Sequence, residues 1–383
     1  MKFLFAPDSF KGSISAIEAT KMLTVAAKKT FGKIETIELP VADGGEGTVD
    51  SFVIAAGGEY REHIVTGPMG EPSIAKYGII NDGKVAVIEM AQASGLPLVP
   101  ANMRNPLKAT SRGTGELIAH VLDAGITKLI IGIGGSATND GGMGMLSALG
   151  AKFFDIDGNL LYGYGEDLEK VCHIDLTDIH SAIRKASITV ICDVINPLLG
   201  ENGATYIYGR QKGADDLMLA RLEAGMDKYA HVFFGEQGIN IASPDGAGAA
   251  GGMGGALKGV LGAQLKPGIE AVLDAVAFDK MLEGVDLVVT GEGCLDGQSV
   301  KFGKVPTGIA KRCSKLGVPV AIIVGGMGEG AENIYDIADV AIMTTINSAM
   351  PIEEAMSNAK QLFECAADRL FRSIKMGMNI AGK

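Results

Sequence analysis

The stretch that decides the fold is KLIIGIGGSATNDGGMGMLSALG, residues 128–150. It opens with a short apolar run bounded by glycine, which predicts a buried strand of a parallel sheet. Small and polar residues follow, and hydrophobic residues then recur at helical spacing up to Gly150, a typical helix stop. Such a strand, glycine-rich turn and helix start can cradle a phosphate, because glycines let the backbone approach the anion and unpaired N–H groups at the helix start are expected to point at it. The stretch predicts an anion site without deciding between a dinucleotide and a triphosphate.

Composition limits the class of protein and the partners it can take. Of the 383 residues, 47% are hydrophobic and 21% charged, which is typical of a globular protein of two or three domains. The net charge is −11, Trp is absent and aromatic residues make up 5%. A basic face and a base-stacking platform are therefore not expected, so nucleic acid is excluded as the predicted partner.

The cysteines and the apolar runs indicate the compartment. The cysteines form neither a C-x-x-C pair nor a Cys/His ligand spacing and stand at positions 172, 192, 294, 313 and 365. Scattered thiols of this kind are typical of a reducing compartment. The N-terminal apolar run is too short for a signal sequence, and no run approaches the roughly 18 residues of a membrane helix. We expect a cytoplasmic protein without a membrane partner.

The order of predicted elements indicates two domains. Strands alternate with helices near both chain ends, whereas residues 59–89 alternate like an antiparallel meander. The predicted fold class is α/β with two α/β domains. Residues 1–58 plus 278–383 form a Rossmann-like parallel-sheet domain built from both chain ends, and residues 59–277 form a larger inserted mixed α/β domain. The active site is expected in the cleft between them, because ligands bind at the carboxyl ends of parallel strands.

Local signals refine the predicted terminal domain. Ser15 and Glu18 fit a capping box and predict a helix start. Strands are predicted at 286–290 and 320–324, and the glycine-rich segments after them, 291–299 and 325–328, are predicted loops. One long amphipathic helix is expected from Pro351 onward.

The opening loop also fits a dinucleotide site. Gly132, Gly134 and Ala137 satisfy G-x-G-x-x-A after a strand, and Asp155 ends the next predicted strand about 20 residues on, where a ribose-binding carboxylate is expected. Against this, the loop is unusually polar over residues 136–140. A nicotinamide or flavin enzyme, a nucleotide-binding module without catalysis and a plain tight turn stay open alternatives.

A phosphoryl transferase needs cations, Mg²⁺-binding carboxylates and a base near the acceptor hydroxyl. No Walker A motif is present, so the glycine-rich loop would have to serve instead. Lys11 is the cation of the first strand-end loop, where Ser9 could join it on a carboxylate or γ-phosphate. Asp43, Asp193 and Asp296 each follow an apolar strand, and on one sheet edge they would form an acidic site. The competing interpretations are a surface ion pair for Lys11 and helix caps for the aspartates.

Three further residues have two interpretations each. Asn196, before a proline, could orient a carboxylate or only make a turn. Gly248, in a second glycine-rich loop, could contact phosphate or allow close packing. Glu292 could be a helix cap or a ligand. No histidine lies in these loops, so a Ser-His-Asp site has little support.

Taken together, these segments resemble the N-terminal and internal signatures of the bacterial type-1 glycerate kinases. The similar blocks, in chain order, are APDSFKGS (6–13), ADGGEGT (42–48), TSRGTGE (110–116), GIGGSATNDGG (132–142), CDVINPL (192–198), QKGA (211–214), GAGAAGG (246–252) and GEGCLDGQS (291–299). The resemblance runs from about residue 2 to beyond 345. It implies ATP-dependent phosphorylation of D-glycerate, most often at the 2-hydroxyl, with Mg²⁺, in two α/β domains of which the first contains both chain ends.

Under this hypothesis each candidate residue has a role. Lys11 neutralises the transferring phosphoryl or the glycerate carboxylate, Asp193 orients or deprotonates the acceptor hydroxyl, and Asp43 and Asp296 compete for Mg²⁺. Ser9 and Asn196 bind substrate. The residues assigned to the nucleotide are Gly134, Gly135, Ser136, Thr138, Asn139 and Gly248. The oligomeric state stays open, with a homodimer as the candidate assembly.

Overall fold

The computed structural model describes residues 1–10, 12–41 and 47–381, without the side chains of Phe302 and Ala381. The strands in this part are β1 (Lys2–Pro7), β2 (Glu35–Glu38), β3 (Gly58–Thr66), β4 (Pro72–Ile80), β5 (Val85–Glu89), β6 (Lys128–Gly132), β7 (Lys152–Phe154), β8 (Leu160–Leu161), β9 (His173–Asp175), β10 (Ser187–Ile191), β11 (Gln264–Lys266), β12 (Leu287–Leu295), β13 (Val320–Met327) and β14 (Val340–Thr344). The helices are α1 (Ala16–Phe31), α2 (Thr48–Ala56), α3 (Ala91–Ser94), α4 (Arg112–Asp123), α5 (Met143–Ala148), α6 (Ala204–Tyr208), α7 (Asp216–Gln237), α8 (Met253–Gly259), α9 (Gly268–Ala275), α10 (Phe278–Met281), α11 (Gly297–Phe302), α12 (Val305–Leu316), α13 (Ile352–Ser357) and α14 (Ala359–Ala381).

The contacts divide the chain into two compact units. The first unit comprises Met1–Asp43 and Pro267–Lys383, and the second comprises Gly44–Lys266. Both combine helices with sheets, which confirms the α/β class. The helix α2, which the predicted limit at residue 58 assigned to the terminal domain, packs on β3, β4 and β5 of the second unit. The domain limits as independent folding units stay a prediction.

The first unit contains a five-stranded parallel sheet in the order β14-β13-β12-β1-β2. On one face α1 and α14 pack together, and Phe3 of β1 stacks on Phe371 of α14 at a centroid distance of 6.2 Å. The predicted capping box at the start of α1 is confirmed. The Glu18 N–H donates to Ser15 Oγ at 3.2 Å, and the Ser15 N–H donates to Glu18 Oε2 at 3.1 Å.

Two strands of this sheet are longer than predicted. β12 continues to Leu295 and β13 to Met327, inside the glycine-rich segments expected to be loops, and the two strands stay paired as far as Leu295↔Met327. The glycines permit close strand packing here, since a Cβ atom on Gly291 would lie 2.0 Å from the Ile323 carbonyl oxygen. The expected single C-terminal helix is also corrected, because α13 ends at Ser357 and α14 begins at Ala359.

The second unit contains a mixed six-stranded sheet in the order β11-β10-β6-β5-β4-β3. β5, β6, β10 and β11 run parallel, while β3, β4 and β5 form the predicted antiparallel meander. A separate antiparallel sheet has the order β8-β7-β9. None of the helices in the described part of the chain combines the length and the apolar character needed to cross a bilayer.

Candidate active site

The loop after β6 presents its first glycines to solvent. Gly134 and Gly135 are exposed, and Gly135 has a φ of 74°, a left-handed conformation that favours glycine. Within the described residues, no hydrogen bond from the backbone N–H groups of Gly134 and Gly135 is found. The next residue, Ser136, is buried. The two glycine N–H groups are therefore available to an anion.

Asp140 holds the other end of this loop and is 0% exposed. Its carboxylate accepts hydrogen bonds from Ser111 N and Oγ, both at 2.7 Å, from Gly142 N at 3.1 Å and from Gly144 N at 3.3 Å. Burial raises the pKa of Asp140, and these hydrogen bonds oppose that rise.

Asp140 and Ser111 also correct the sequence expectation about the start of α5. The Gly144 N–H donates to Asp140, and the Met145 N–H donates to Ser111 Oγ at 2.9 Å. The N–H groups at the helix start are thus bonded within the protein. The expectation that they point at a bound phosphate is wrong, and the open N–H groups lie earlier in the loop.

Thr138 and Asn139 lie fully buried between these two parts of the loop. Asn139 Nδ2 donates to Thr205 Oγ1 at 3.2 Å. Within the described residues, Thr138 Oγ1 and Asn139 Oδ1 are buried without a hydrogen-bond partner. Such buried polar atoms are rare in folded proteins and often mark functional positions.

A cavity of about 360 Å³ opens in front of the loop, inside the second unit. Its lining includes Gly134, Gly135, Ser136, Asp193 and Lys212. Asp193 follows β10 by two residues and is exposed. The structure therefore brings the predicted phosphate loop and the predicted base to one cavity.

Lys212 is a residue of this cavity that sequence reasoning did not single out. Its side chain is 2% exposed, and its Nζ donates to the Thr138 carbonyl oxygen at 2.7 Å. Burial lowers the pKa of Lys212 to about 7, although the Asp140 carboxylate opposes the shift. The available signal was the position of this lysine in the QKGA block, one of the segments that resemble the family.

Asn196 and Gly248 are bonded to other parts of the second unit. Asn196 Nδ2 donates to the Asn202 carbonyl oxygen at 2.9 Å, and Asn196 Oδ1 accepts from the Tyr208 hydroxyl at 2.7 Å. The Gly248 N–H donates to the Asn196 carbonyl oxygen at 3.0 Å. A Cβ atom on Gly248 would lie 2.1 Å from the Pro197 carbonyl oxygen, so close packing accounts for this glycine.

The first unit has its own cavity of about 470 Å³ at the carboxyl ends of its strands. Polar groups form part of the lining, and Ile352 and Met356 of α13 add apolar surface. The polar lining residues include Asp8, Ser9, Ser13, Glu292, Asp296, Lys304 and Thr345. This cavity therefore combines carboxylates, hydroxyls and one lysine with an apolar wall.

Asp296 and Glu292 differ in their roles beside this cavity. Asp296 is the N-cap of α11 and accepts a hydrogen bond from Ser299 N at 2.7 Å, which lowers the pKa of Asp296. Its strand-end position was predicted, and the helix-cap interpretation applies as well. Glu292 is buried inside β12, so the alternative of a helix cap is wrong for this residue.

The predicted acidic residues do not share one sheet edge. Asp193 follows β10 of the six-stranded sheet, whereas Asp296 follows β12 of the five-stranded sheet. Ser9 and Asp296 line the cavity of the first unit. Lys11 and Asp43 lie outside the described residues. Among the described residues, no group of three or more His, Cys, Asp or Glu side chains could hold a metal ion.

The structure removes the basis of the dinucleotide alternative. That fingerprint requires the strand after the helix to continue the same parallel sheet. β7 instead pairs with β8 and β9 in the separate antiparallel sheet. The Asp155 carboxylate accepts hydrogen bonds from Asp157 N at 2.9 Å and Asn159 N at 2.8 Å and shapes a turn.

Comparison with known proteins gives one consistent family. The model of the glycerate kinase family matches residues 3–375. A glycerate kinase of Bacillus subtilis strain 168 is 46% identical over 376 residues, covering 98% of both chains. A glycerate 2-kinase of Escherichia coli K12 is 44% identical over 382 residues, covering 100% of both. A crystal structure described as glycerate kinase 2 from Salmonella typhimurium LT2 is 41% identical, covers 99% of each chain and has a TM-score of 0.87.

Proposed function

The chain belongs to the glycerate kinase family, and we propose that it transfers the γ-phosphoryl group of ATP to the 2-hydroxyl of D-glycerate, giving 2-phosphoglycerate. Transfer to the 3-hydroxyl, giving 3-phosphoglycerate, is the alternative product. The observation that carries the proposal is the cavity of the second unit, where the glycine loop, Asp193 and Lys212 meet. The dinucleotide-dependent oxidoreductase has no support from the sheet topology or from the comparisons.

The glycine loop is the proposed phosphate site. The open N–H groups of Gly134 and Gly135 can donate to phosphoryl oxygens, and Ser136 adds a hydroxyl beside them. Thr138 and Asn139 complete the loop from its buried side, and Gly248 packs behind the turn that contains Asn196. Because these donors are held in place before the ligand arrives, little reorganisation accompanies phosphoryl transfer.

Asp193 is the proposed base. Its exposed carboxylate lines the same cavity as the glycine loop, so an acceptor hydroxyl bound there would lie near both. A kinase accelerates the reaction mainly through positioning and charge stabilisation, and an aspartate orients the hydroxyl and accepts its proton. Asn196, three residues further along the chain, is proposed to bind substrate. Its hydrogen bonds to Asn202 and Tyr208 hold the 193–198 segment in shape.

The residues proposed for Mg²⁺ and for the substrate carboxylate belong to the first unit by sequence. Carboxylate oxygens suit Mg²⁺, which needs only one or two of them when phosphates supply further ligands. The lowered pKa of Asp296 keeps its carboxylate ionised, so its chemistry fits the ion, and Asp43 is the second candidate. Bound Mg²⁺ would supply charge neutralisation on the phosphates. Lys11 and Ser9 are proposed to bind the transferring phosphoryl or the glycerate carboxylate.

One assay with two cofactors tests the proposal. The protein is incubated with D-glycerate and either ATP–Mg²⁺ or NAD(P)⁺, and both ADP release and absorbance at the nicotinamide band are followed. Release of ADP that requires glycerate supports the kinase, whereas nicotinamide reduction or no reaction at all contradicts it. Phosphorus NMR of the product then distinguishes 2-phosphoglycerate from 3-phosphoglycerate.

A further inference from the structure

The ammonium group of Lys212 has more hydrogen-bond donors than the protein uses. A lysine ammonium carries three N–H donors. Within the described residues Lys212 Nζ has one hydrogen bond, to the Thr138 carbonyl oxygen at 2.7 Å. The side chain is 2% exposed, so bulk water does not readily satisfy the others. A buried cation with unused donors is costly unless a ligand meets it.

The surroundings of Lys212 indicate what such a ligand must be. Lys212 is the one cationic side chain among the described residues that line the cavity of the second unit, beside the open N–H groups of Gly134 and Gly135. Asp140, the buried carboxylate whose charge acts on Lys212, already accepts four hydrogen bonds from Ser111, Gly142 and Gly144. An anionic oxygen in the cavity would therefore find two kinds of donor in the lining, the Lys212 ammonium group and the backbone N–H groups of Gly134 and Gly135.

We propose that Lys212 binds an anionic group of a substrate or nucleotide directly. Its ammonium group donates to a phosphoryl or carboxylate oxygen that also accepts hydrogen bonds from the backbone N–H groups of Gly134 and Gly135. The identity of the ligands rests on the proposed function, but the site itself does not. The alternative role is purely structural: Lys212 would only hold the Thr138 carbonyl oxygen in place through its hydrogen bond. A lysine with only this structural role would keep its hydrogen bond to Thr138 and its protonation state when a ligand binds in the cavity.

Protonation is the property that separates the two roles. Burial lowers the pKa of Lys212 to about 7, so at pH 8 the free protein holds this amine mostly neutral. An anion beside it raises that pKa again, and binding at pH 8 should take up close to one proton, against little uptake at pH 6. The titratable groups beside this site also include one thiol, two phenols and the two carboxylates of Asp140 and Asp193. Burial raises the pKa of Cys192 and of Tyr208, which line the cavity, of Tyr229 and of Asp140. The Lys212 variants below separate the proton of Lys212 from protons taken up by these groups or by the phosphoryl probes.

Isothermal titration calorimetry in two buffers of different ionisation enthalpy counts these protons. The probes are D-glycerate, ADP and inorganic phosphate, each titrated at pH 6 and pH 8. We expect at least one probe to bind with proton uptake at pH 8 and with an affinity that falls as pH rises above 7. The probe that does so identifies the anion as carboxylate or phosphoryl. Absence of uptake with all three probes overturns the proposal.

Variants assign the proton to Lys212. In Lys212→Met, uptake should vanish and affinity should fall about tenfold or more, the usual effect of losing a hydrogen bond to a charged group. Lys228→Met is the matched control, because Lys228 is a half-buried lysine of the same unit that donates to the Glu169 carbonyl oxygen at 2.8 Å. A folded Lys212→Met variant with unchanged affinity and uptake contradicts the proposal.

Two further measurements keep the test decisive. If Lys212→Met does not fold by circular dichroism, Lys212→Arg replaces it, since arginine stays charged and should bind without proton uptake. Uptake equal to that of the wild type in Lys212→Arg would overturn the proposal, and the wild-type titration decides alone if neither variant folds. Glycerate-dependent ADP release is measured on the same preparation. Proton uptake without turnover refutes the kinase activity but leaves the anion site of Lys212 standing. Turnover without proton uptake supports the kinase activity and refutes the anion site.

Discussion

Asp140 of the second unit and Asp296 of the first unit follow parallel strands and accept backbone N–H groups near a helix start, yet their environments differ. Asp140 is 0% exposed and receives four hydrogen bonds. Asp296 is half-buried and receives one from Ser299. The pKa of Asp140 is raised by burial, whereas the pKa of Asp296 is lowered by its hydrogen bond.

The comparison shows that solvent exposure decides which role a carboxylate after a strand has, structural or ligand-binding. A fully buried carboxylate whose oxygens are saturated by the protein shapes the loop and has little capacity left for a ligand. A solvated carboxylate with one capping bond keeps oxygen lone pairs available and stays ionised. Asp140 is therefore structural in our account, and Asp296 remains the proposed metal ligand.

The largest expected effect is on stability, from Asp140→Ala. The change leaves the donors of Ser111, Gly142 and Gly144 buried without an acceptor, so we expect a loss of at least about 3 kcal/mol in the free energy of unfolding. Urea denaturation followed by circular dichroism measures it. Asp296→Ala is the control and should lose far less. Equal losses in the two variants would remove the contrast between the two carboxylates.

The next largest effect is on catalysis, from Asp193→Asn. The amide keeps the shape of the side chain but cannot accept the proton of the acceptor hydroxyl. Loss of one preorganised contact of this kind raises the barrier by roughly 3 kcal/mol, so kcat should fall by about 10² or more with the unfolding curve unchanged. Near wild-type turnover in the folded variant would rule out Asp193 as the base.

A pair of variants separates the cap from the metal ligand at Asp296. Asp296→Asn retains an N-cap acceptor and should hardly change stability, whereas Asp296→Ala should lose about 1 kcal/mol. Both remove the negative charge, so both should raise the Mg²⁺ concentration needed for half-maximal turnover. If only the alanine variant changed the Mg²⁺ dependence, the cap alone would explain Asp296.

The smallest effect concerns pH and a solvated pair in the first unit. Hydrogen bonds from Lys360 and Ser15 lower the pKa of Glu18 from 4.5 to about 2. Because the pKa in the folded protein lies below the unfolded value, this contribution is present above pH 4.5 and is lost as pH falls towards 2. Glu18→Gln should therefore slightly reduce the thermal midpoint at pH 7 and converge with wild type near pH 2. A difference that grows on acidification would contradict this sign.

Local patterns predicted much of the fold. Short apolar runs located β6 and the cores of β12 and β13, and the Ser15–Glu18 box located the start of α1. The predicted loops at 291–299 and 325–328 were wrong in part, because residues 291–295 and 325–327 continue β12 and β13 and pair with each other although they are distant in sequence. Local glycine content cannot tell a loop from a closely packed strand.

The candidate site was predictable only where a local sequence motif marks it. The sequence identified the glycine loop and Asp193, which the structure brings to one cavity. It did not single out Asp140 or Lys212, since the burial of both depends on elements far along the chain. The sites of Lys11 and Asp43 stay predictions.

The discontinuous first unit has a consequence for the order in which the protein can form during synthesis. The second unit is continuous and complete once Lys266 has been made. β1, at the beginning of the chain, pairs with β12, and Phe3 stacks on Phe371. The five-stranded sheet of the first unit cannot form until the C-terminal third of the chain has been synthesised. Until then the apolar strand β1 lacks its partner strand β12. Substitutions that destabilise the first unit should therefore increase chaperone dependence and aggregation during expression more than substitutions in the second unit.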